Sequence, residues 1–316
     1  MRLVIVNNRK PMTIVAALFT AMLVMSGKAE AGVGMLEQGE SMVSTNLSYT
    51  AANKHWDVSR NVITNICKIR NIGATLGYEY GWSYFHTVYA NLGMGHRRCG
   101  QVGLRGPGVQ VSGRNTGLGD VELGVRTRFS GNYLDSAAWE AFMIIPTGYD
   151  NGNPSAIGKG TLGAGLGVLL SSDPTHNFPF RTWGVNSRKW GWKAGSKFTY
   201  FFSGKGNTLR SDVTIQYALT ETDFVRTGDF FSLSLINSIG FARGGVQNQV
   251  FVNQAPAAMT SSDQTSIQLS YSHSFMGTGW SANALIGKAL FGRNAPVSWF
   301  AGIGASYRWR ETKQHD

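Results

Sequence analysis

The 316-residue chain is poor in cysteine, proline and charged residues. It contains only two cysteines and eight prolines, and charged residues make up 15% of it, against about 25% in typical soluble domains. Two cysteines are too few for a fold held together by disulfides. No spacing of cysteine, histidine and acidic residues matches a metal site, and no glycine-rich loop opens a helix as nucleotide loops do. We therefore predict no metal and no cofactor.

Long hydrophobic runs are also missing, except at the start of the chain. Basic residues within the first ten positions precede an apolar run over 12–25, and the small-residue segment 29–31 follows. This order is typical of a secretory signal peptide. The alternative is a retained membrane anchor, but the run is shorter than the ~20 residues that a spanning helix needs. We predict a signal peptide over 1–31 and a single domain over 32–316, with no transmembrane helix.

What the chain does have is 40 glycines, 12% aromatic residues and a repeated alternation of apolar and polar positions. In the segment 117–129 the odd positions from Val121 to Phe129 carry no charge, whereas the even positions include Asp120, Glu122 and Arg126. Side chains alternate between the two faces of a strand. The uncharged face would meet a protein core in a soluble sandwich, or lipid in an outer-membrane barrel with a wet interior.

The same alternation recurs in about twelve segments of roughly 9–13 residues, which is long enough for a tilted strand to cross a bilayer. Aromatic residues gather at the ends of these segments, as they do at membrane interfaces. A soluble sandwich should show shorter strands and more charge on its outer face. We predict an all-β protein, a transmembrane antiparallel up-and-down β-barrel of about twelve strands in the bacterial outer membrane.

The connections between strands differ in length. Alternate long and short connections are the pattern of extracellular loops and periplasmic turns. One segment, 171–187, breaks this pattern because it is long where a short turn is expected. The predicted turns are at Gly81 and 131–132, and the predicted long loops are 52–66, 96–116, 150–160 and 243–263.

Charged residues on the polar face of each strand should line the interior. Opposed charges in a narrow barrel either pair and close it or bias the path of a solute, and the sequence leaves both open. The predicted lumen-lining residues are Glu79, Asp120, Glu122, Arg126, Arg128, Glu140, Lys193, Lys197, Arg210, Asp212 and Arg308.

The formal net charge of +11 suggests an anionic partner. Several of the basic residues fall in the predicted loops, where they can pair with the phosphates of lipopolysaccharide. We therefore expect outer-membrane lipid, lipopolysaccharide and a small-molecule solute as partners. Nothing supports nucleic acid as a partner outside the cell envelope.

The two cysteines, Cys67 and Cys99, flank the hairpin that turns near residues 81–83. Their positions predict that they face each other at the extracellular rim, and two facing cysteines in an exported protein favour one disulfide. The alternative is a pair of thiols that the strand register keeps apart.

Signals for catalysis are weak. Barrel enzymes need a histidine with a serine or an acidic partner at a strand end, and the candidates are His86, His96 and His273. No local motif supports them, so we predict no catalytic residues. A hydrogen bond from His86 or His273 to a serine or aspartate on a neighbouring strand would favour an enzyme.

Three short motifs resemble an outer-membrane family called the MetA pathway of phenol degradation. Gly117–Phe129 resembles its "tGlGD-lgakyrf" block, Ile145–Tyr149 its "lPTGy" and Gly160–Gly165 its "lGtG", in the same order. The resemblance implies a barrel that passes small, often aromatic or hydrophobic, solutes, akin to the long-chain fatty acid transporters. The chain departs from those transporters because only about eight residues precede the first strand, too few for their N-terminal hatch.

These observations predict a channel for passive uptake of small solutes, including aromatic or hydrophobic ones, and not an enzyme. Two alternatives stay open: an outer-membrane enzyme that modifies lipids, and a structural or adhesive barrel whose lumen is plugged.

Overall fold

The computed structural model describes eleven segments of the chain, from residue 35 to residue 310. Segments 1–34 and 173–189 lie outside them, so the predicted signal peptide and most of the long segment 171–187 stay predictions. In the described part no helix is long and apolar enough to cross a membrane. The described segments are 35–57, 59–101, 113–131, 136–147, 160–172, 190–202, 207–219, 229–241, 263–275, 277–293 and 295–310.

The described residues form twelve strands in one closed antiparallel barrel. Each strand pairs with the next along the chain, and β12 returns to pair with β1, which confirms the predicted fold class. The strands are β1 (Glu40–Trp56), β2 (Val62–Gly81), β3 (His86–Gln101), β4 (Gly113–Gly131), β5 (Ser136–Ile145), β6 (Gly163–Ser172), β7 (Trp190–Phe201), β8 (Asn207–Ala218), β9 (Asp229–Phe241), β10 (Asp263–Ser274), β11 (Trp280–Arg293) and β12 (Ala295–Arg310).

The outer surface of the barrel is apolar and the inner surface is polar. On β9, Leu233 and Leu235 are 48% and 50% exposed, whereas Ser232 and Ser234 between them are buried. On β4, Phe129 is 60% exposed and its neighbour Arg128 only 3%. A closed barrel satisfies its backbone hydrogen bonds between strands, and an apolar outer face then suits it to lipid.

The barrel wall is not equally high on all sides. We call the end where β1 begins and β12 ends the near end, and the opposite end the far end. Strands β1 to β4 have 16 to 20 residues, whereas β5 and β6 have 10 each. The barrel wall therefore rises higher at the far end on the side formed by β1 to β4.

The prediction of a long loop over 52–66 is wrong. Strand β1 continues to Trp56 and β2 begins at Val62, so the two strands form a long hairpin. The register shifts between Ala52 and Lys54. This irregularity interrupts the alternation from which the end of the strand was inferred, because a bulge moves the following side chains to the other face.

A second bulge lies within the segment that most clearly predicted a strand. Leu92 pairs with Val121 and Met94 with Leu118, so β4 has two residues, Gly119 and Asp120, where β3 has one. The bulge brings both Leu118 and Val121 to the outer face. The alternation from Val121 onward holds, whereas the residues before it follow the opposite parity.

The residues just before β1 turn into the near end of the barrel. Leu36 donates its backbone N–H to the Thr87 hydroxyl at 3.0 Å, and Met35 packs against Ala138 and Leu169 on β5 and β6. Gly39 makes the turn with φ of +79°, a conformation that favours glycine. This segment, Met35–Gly39, is here called the N-terminal strap. Although short, it reaches from β1 to the inner wall formed by β5 and β6.

Candidate functional site

Ion pairs inside the barrel join five of the predicted lumen residues on four strands. Glu79 comes from β2, Glu122 and Arg126 from β4, Glu140 from β5 and Lys197 from β7. Two aromatic residues, Tyr89 of β3 and Phe142 of β5, pack against the cations. We call these seven residues the lumen network.

Arg126 is held on three sides. Its Nη1 lies 2.8 Å from Glu79 Oε2 and its Nε 3.6 Å from Glu140 Oε2. The guanidinium carbon lies 4.5 Å from the centre of the Tyr89 ring, a distance at which cation and ring attract. The register accounts for these contacts. Arg126 faces Glu140 on β5, and Tyr89 of β3 faces Glu79 on β2 and Gly124, two residues before Arg126, on β4.

Lys197 reaches the same site from three strands away. Its Nζ lies 2.6 Å from Glu122 Oε1 and 3.6 Å from Glu140 Oε1, and 3.9 Å from the centre of the Phe142 ring. Glu140 faces Gly167 on β6, and Gly167 in turn faces Lys197. Because Gly167 has no side chain, the ammonium and the carboxylate meet above the intervening strand.

Glu140 joins the two halves of the network. Only 4% of the residue is exposed, and it contacts both cations and accepts a hydrogen bond from the Tyr89 hydroxyl at 3.3 Å. The network contains three carboxylates and two cations, so it carries one formal negative charge in excess. Glu140 thus lies between two cations at ion-pair distances of 3.6 Å and accepts its hydrogen bond from Tyr89, which joins the network into one charged feature of the wall.

Glycines let the aromatic members lie flat against the wall. A Cβ on Gly124 would lie 2.4 Å from Tyr89 Cζ, and a Cβ on Gly165 would lie 2.1 Å from Phe142 Cζ. Real side chains cannot approach so closely. Tyr89 and Phe142 are not among the predicted lumen residues, all of which are charged. Their inward parity and the glycines on the adjacent strands were the available signal.

The other predicted lumen residues lie outside these ion pairs. The Arg128 guanidinium lies 5.0 Å from the Tyr84 ring centre, and Arg308 bonds Glu40 at the near end. Asp120 accepts a hydrogen bond from the Gly160 N–H at 3.3 Å, which ties the residues before β6 to β4. Lys193 of β7 and Arg210 and Asp212 of β8 complete the predicted set.

The wall formed by β9 to β12 and β1 is different in character. Its inward positions at mid-height carry neutral hydroxyl and amide groups, such as Ser234, which bonds Thr214 at 2.9 Å, and Ser281, which bonds Ser306 at 2.7 Å. The barrel therefore has a charged wall on one side and a neutral hydrogen-bonding wall on the other. The inward residues of the neutral wall include Ser44, Asn46, Ser48, Ser232, Ser234, Gln268, Ser270, Asn283 and Ser306.

The three candidate histidines lie on the outer face, each bonded to the neighbouring strand. His86 Nδ1 lies 3.0 Å from the Thr127 hydroxyl, and His96 bonds Thr116. His273 bonds Asp229, and so meets the criterion set for an enzyme. The edge of Phe275 packs against the His273 ring, with centroids 4.5 Å apart. Among the described residues no group of three side chains could hold a metal ion.

The predicted disulfide remains a prediction. In the register of β2 and β3, Cys67 faces Gln101 and Cys99 faces Ile69. The two cysteines are therefore diagonal neighbours and not directly opposite. Diagonal Cα atoms lie about 7–8 Å apart, slightly beyond the usual span of a disulfide.

No family model matches the chain, and no curated protein matches its sequence. Solved structures are similar in fold. The chain resembles an outer membrane channel from Pseudomonas putida F1 with a TM-score of 0.65 and 12% identity, over 90% of this chain and 100% of that one. A Pseudomonas aeruginosa FadL homologue matches with a TM-score of 0.40 and 10% identity, over 90% and 99% of the two chains. The first similarity shows that the chain has the fold of an outer-membrane barrel.

Proposed function

We propose that the protein is an outer-membrane channel that lets small solutes pass through the barrel by diffusion. One observation carries this proposal: the barrel is closed, apolar outside and polar inside, with charged, hydroxyl and amide groups along its inner wall. The near end, where β1 begins and β12 ends, would face the periplasm, and the far end the cell exterior. The predicted signal peptide agrees with export, and the similar channel from Pseudomonas putida F1 has the same fold.

The two inner walls would act on a solute together. Carboxylates and cations of the lumen network create a local field, and the opposite wall offers neutral hydroxyl and amide groups as hydrogen-bond partners. A field across a low-dielectric passage orders dipolar solutes and selects by charge. The resemblance noted in the sequence favours aromatic or hydrophobic solutes. Among aromatic or hydrophobic solutes, the polar inner surface favours those that also carry polar groups.

The eleven predicted residues would line this path, and the lumen network would form a charged section of it. The N-terminal strap lies at the near end and would restrict the periplasmic mouth further. Membrane lipid and lipopolysaccharide would surround the barrel.

The test is the conductance of the refolded full-length protein in planar bilayers, with and without phenol or benzoate as aromatic probes. A channel gives discrete conductance steps, and a permeating probe changes their size or duration. A second variant, Leu36→Gly, weakens the N-terminal strap and should increase the size of the conductance steps. Intact, inserted protein that shows neither ion conductance nor uptake of probe into vesicles would contradict the proposal and favour a plugged structural barrel.

A lipid-modifying enzyme is the second candidate, because His273 and Asp229 form a hydrogen-bonded pair on the outer face. An enzyme would need a nucleophile on the other side of the imidazole. The neighbour observed at this ring is Phe275. Release of fatty acid from phospholipid in mixed micelles, abolished in His273→Ala, would establish this candidate, whereas no release by the wild-type protein would eliminate it.

A further inference from the structure

Two arginines face each other on the outer surface of the barrel. Arg70 of β2 pairs in register with Arg98 of β3, and both are exposed. They share the outward parity of Ile72 on β2 and Met94 on β3, which are 48% and 40% exposed. Directly opposed residues on adjacent strands lie about 5 Å apart, and like charges at this spacing destabilise the pair.

The like charges extend beyond this pair. Lys68 is exposed two residues further along β2 and shares the outward parity of Arg70. Strand β4 places another arginine, Arg114, opposite Arg98 in the register. We call Lys68, Arg70 and Arg98 the basic patch. Its charges would repel one another unless an anion lies among them.

Protein groups do not supply that anion in the described part of the chain. No ion pair or hydrogen bond joins a side chain of the basic patch to another described residue. The arginines at the far-end rim differ, because Arg60 and Arg293 share the carboxylate of Asp263 at 3.0 and 3.6 Å. The outer surface at the basic patch is thus arranged for a partner from outside the chain.

The height of the basic patch matches the headgroup layer of a membrane. From Tyr80, at the near end of β2, to Arg70 the strand rises about 33 Å, or about 25 Å along the membrane normal for a tilt of about 40°. The apolar band of outer-membrane barrels is about 25 Å tall. The patch therefore lies at the upper edge of this band, where β1 to β4 continue beyond the membrane.

We propose that the basic patch binds a phosphate group of lipopolysaccharide, namely a phosphate on its lipid A. This rests on the proposed outer-membrane location. Guanidinium groups bind phosphate with paired, charge-assisted hydrogen bonds, and one phosphate between Arg70 and Arg98 replaces their repulsion with two attractions. The acyl chains of the same lipid would then lie along the apolar outer face below, beside Ile72 and Met94.

The experiment titrates diphosphoryl lipid A into the refolded full-length protein in detergent and follows binding by native mass spectrometry and by thermal unfolding. Each lost arginine should weaken binding about fivefold, so Arg70→Gln and Arg98→Gln each show this loss and the double variant about 25-fold. The matched control is Arg60→Gln, which removes the same charge at the same end and should bind lipid A as the wild type does.

The Arg98→Glu variant tests whether repulsion between Arg70 and Arg98 is the reason for phosphate binding. It places a carboxylate opposite Arg70, so it should raise the unfolding temperature without lipid while lipid A no longer raises it further. Equal binding by wild type and the double variant would overturn the proposal. Inorganic phosphate binding as tightly as lipid A would overturn the lipid as the source. Because binding is measured apart from conductance, a barrel that conducts without binding lipid A refutes only this inference, and one that binds without conducting refutes only the channel.

Discussion

Replacing Lys197 with methionine should loosen the lumen network and make the channel more selective for cations. Methionine keeps most of the length of the lysine side chain, so the contact with the Phe142 ring is largely retained while the charge is lost. Glu122 and Glu140 then share the remaining cation, Arg126, with Glu79. The formal charge of the network changes from one negative charge in excess to two.

The size of the effect on stability follows from the geometry. At 2.6 Å, the attraction between Lys197 and Glu122 is about 6 kcal/mol for an effective dielectric constant of about 20. Desolvation offsets most of it. Removing one partner of a fully buried pair costs about 3–5 kcal/mol, and exposed pairs contribute less than about 1 kcal/mol. Since 27% of the Lys197 side chain is exposed, we expect a loss of about 2–3 kcal/mol.

Two assays check this prediction. Urea unfolding in lipid vesicles measures the free energy of unfolding, and the reversal potential in a tenfold KCl gradient measures selectivity. The control is Lys288→Met, because Lys288 lies 4.8 Å from the Trp299 ring centre on the outer face and should leave selectivity unchanged. A stability change below about 0.5 kcal/mol, or a reversal potential that moves toward anions, would refute the reasoning. The double variant with Glu122→Gln should show a coupling energy above about 1 kcal/mol.

Two further changes test the wall itself. Gly165→Ala should destabilise the barrel by about 3 kcal/mol, because its Cβ would lie 2.1 Å from Phe142 Cζ and 2.2 Å from a backbone oxygen. The same change at Gly93, whose nearest neighbour would be 4.0 Å away, should be tolerated, and urea unfolding compares the two. Leu233→Arg on the outer face should cost about 2–4 kcal/mol in the bilayer. If the Leu233→Arg variant were as stable as the wild type, both in vesicles and in detergent micelles, this would argue against lipid contact at Leu233.

Much of the fold could be predicted from alternation alone. Side chains of a strand alternate with a period of two whatever the partner strand is, so the apolar face of β4 and β9 could be identified without any neighbour. The strand ends could not, because the bulges at Ala52 and Gly119 shift the alternation by one residue. The basic patch was only partly visible in the sequence, since Arg70 and Arg98 are 28 positions apart and the register decides that they meet.

The sequence by itself determined which side chains share a face within each regular stretch of strand, because that depends only on local parity. Which of those side chains meet was decided by the tertiary structure. Lys197 bonds Glu122, 75 positions away along the chain, because β5 and β6 lie between them in a closed sheet and Gly167 leaves the space above it open. Such contacts depend on register, curvature and closure, which no single strand encodes. Five of the charges predicted to line the interior are joined into the lumen network because the folded barrel brings four strands together.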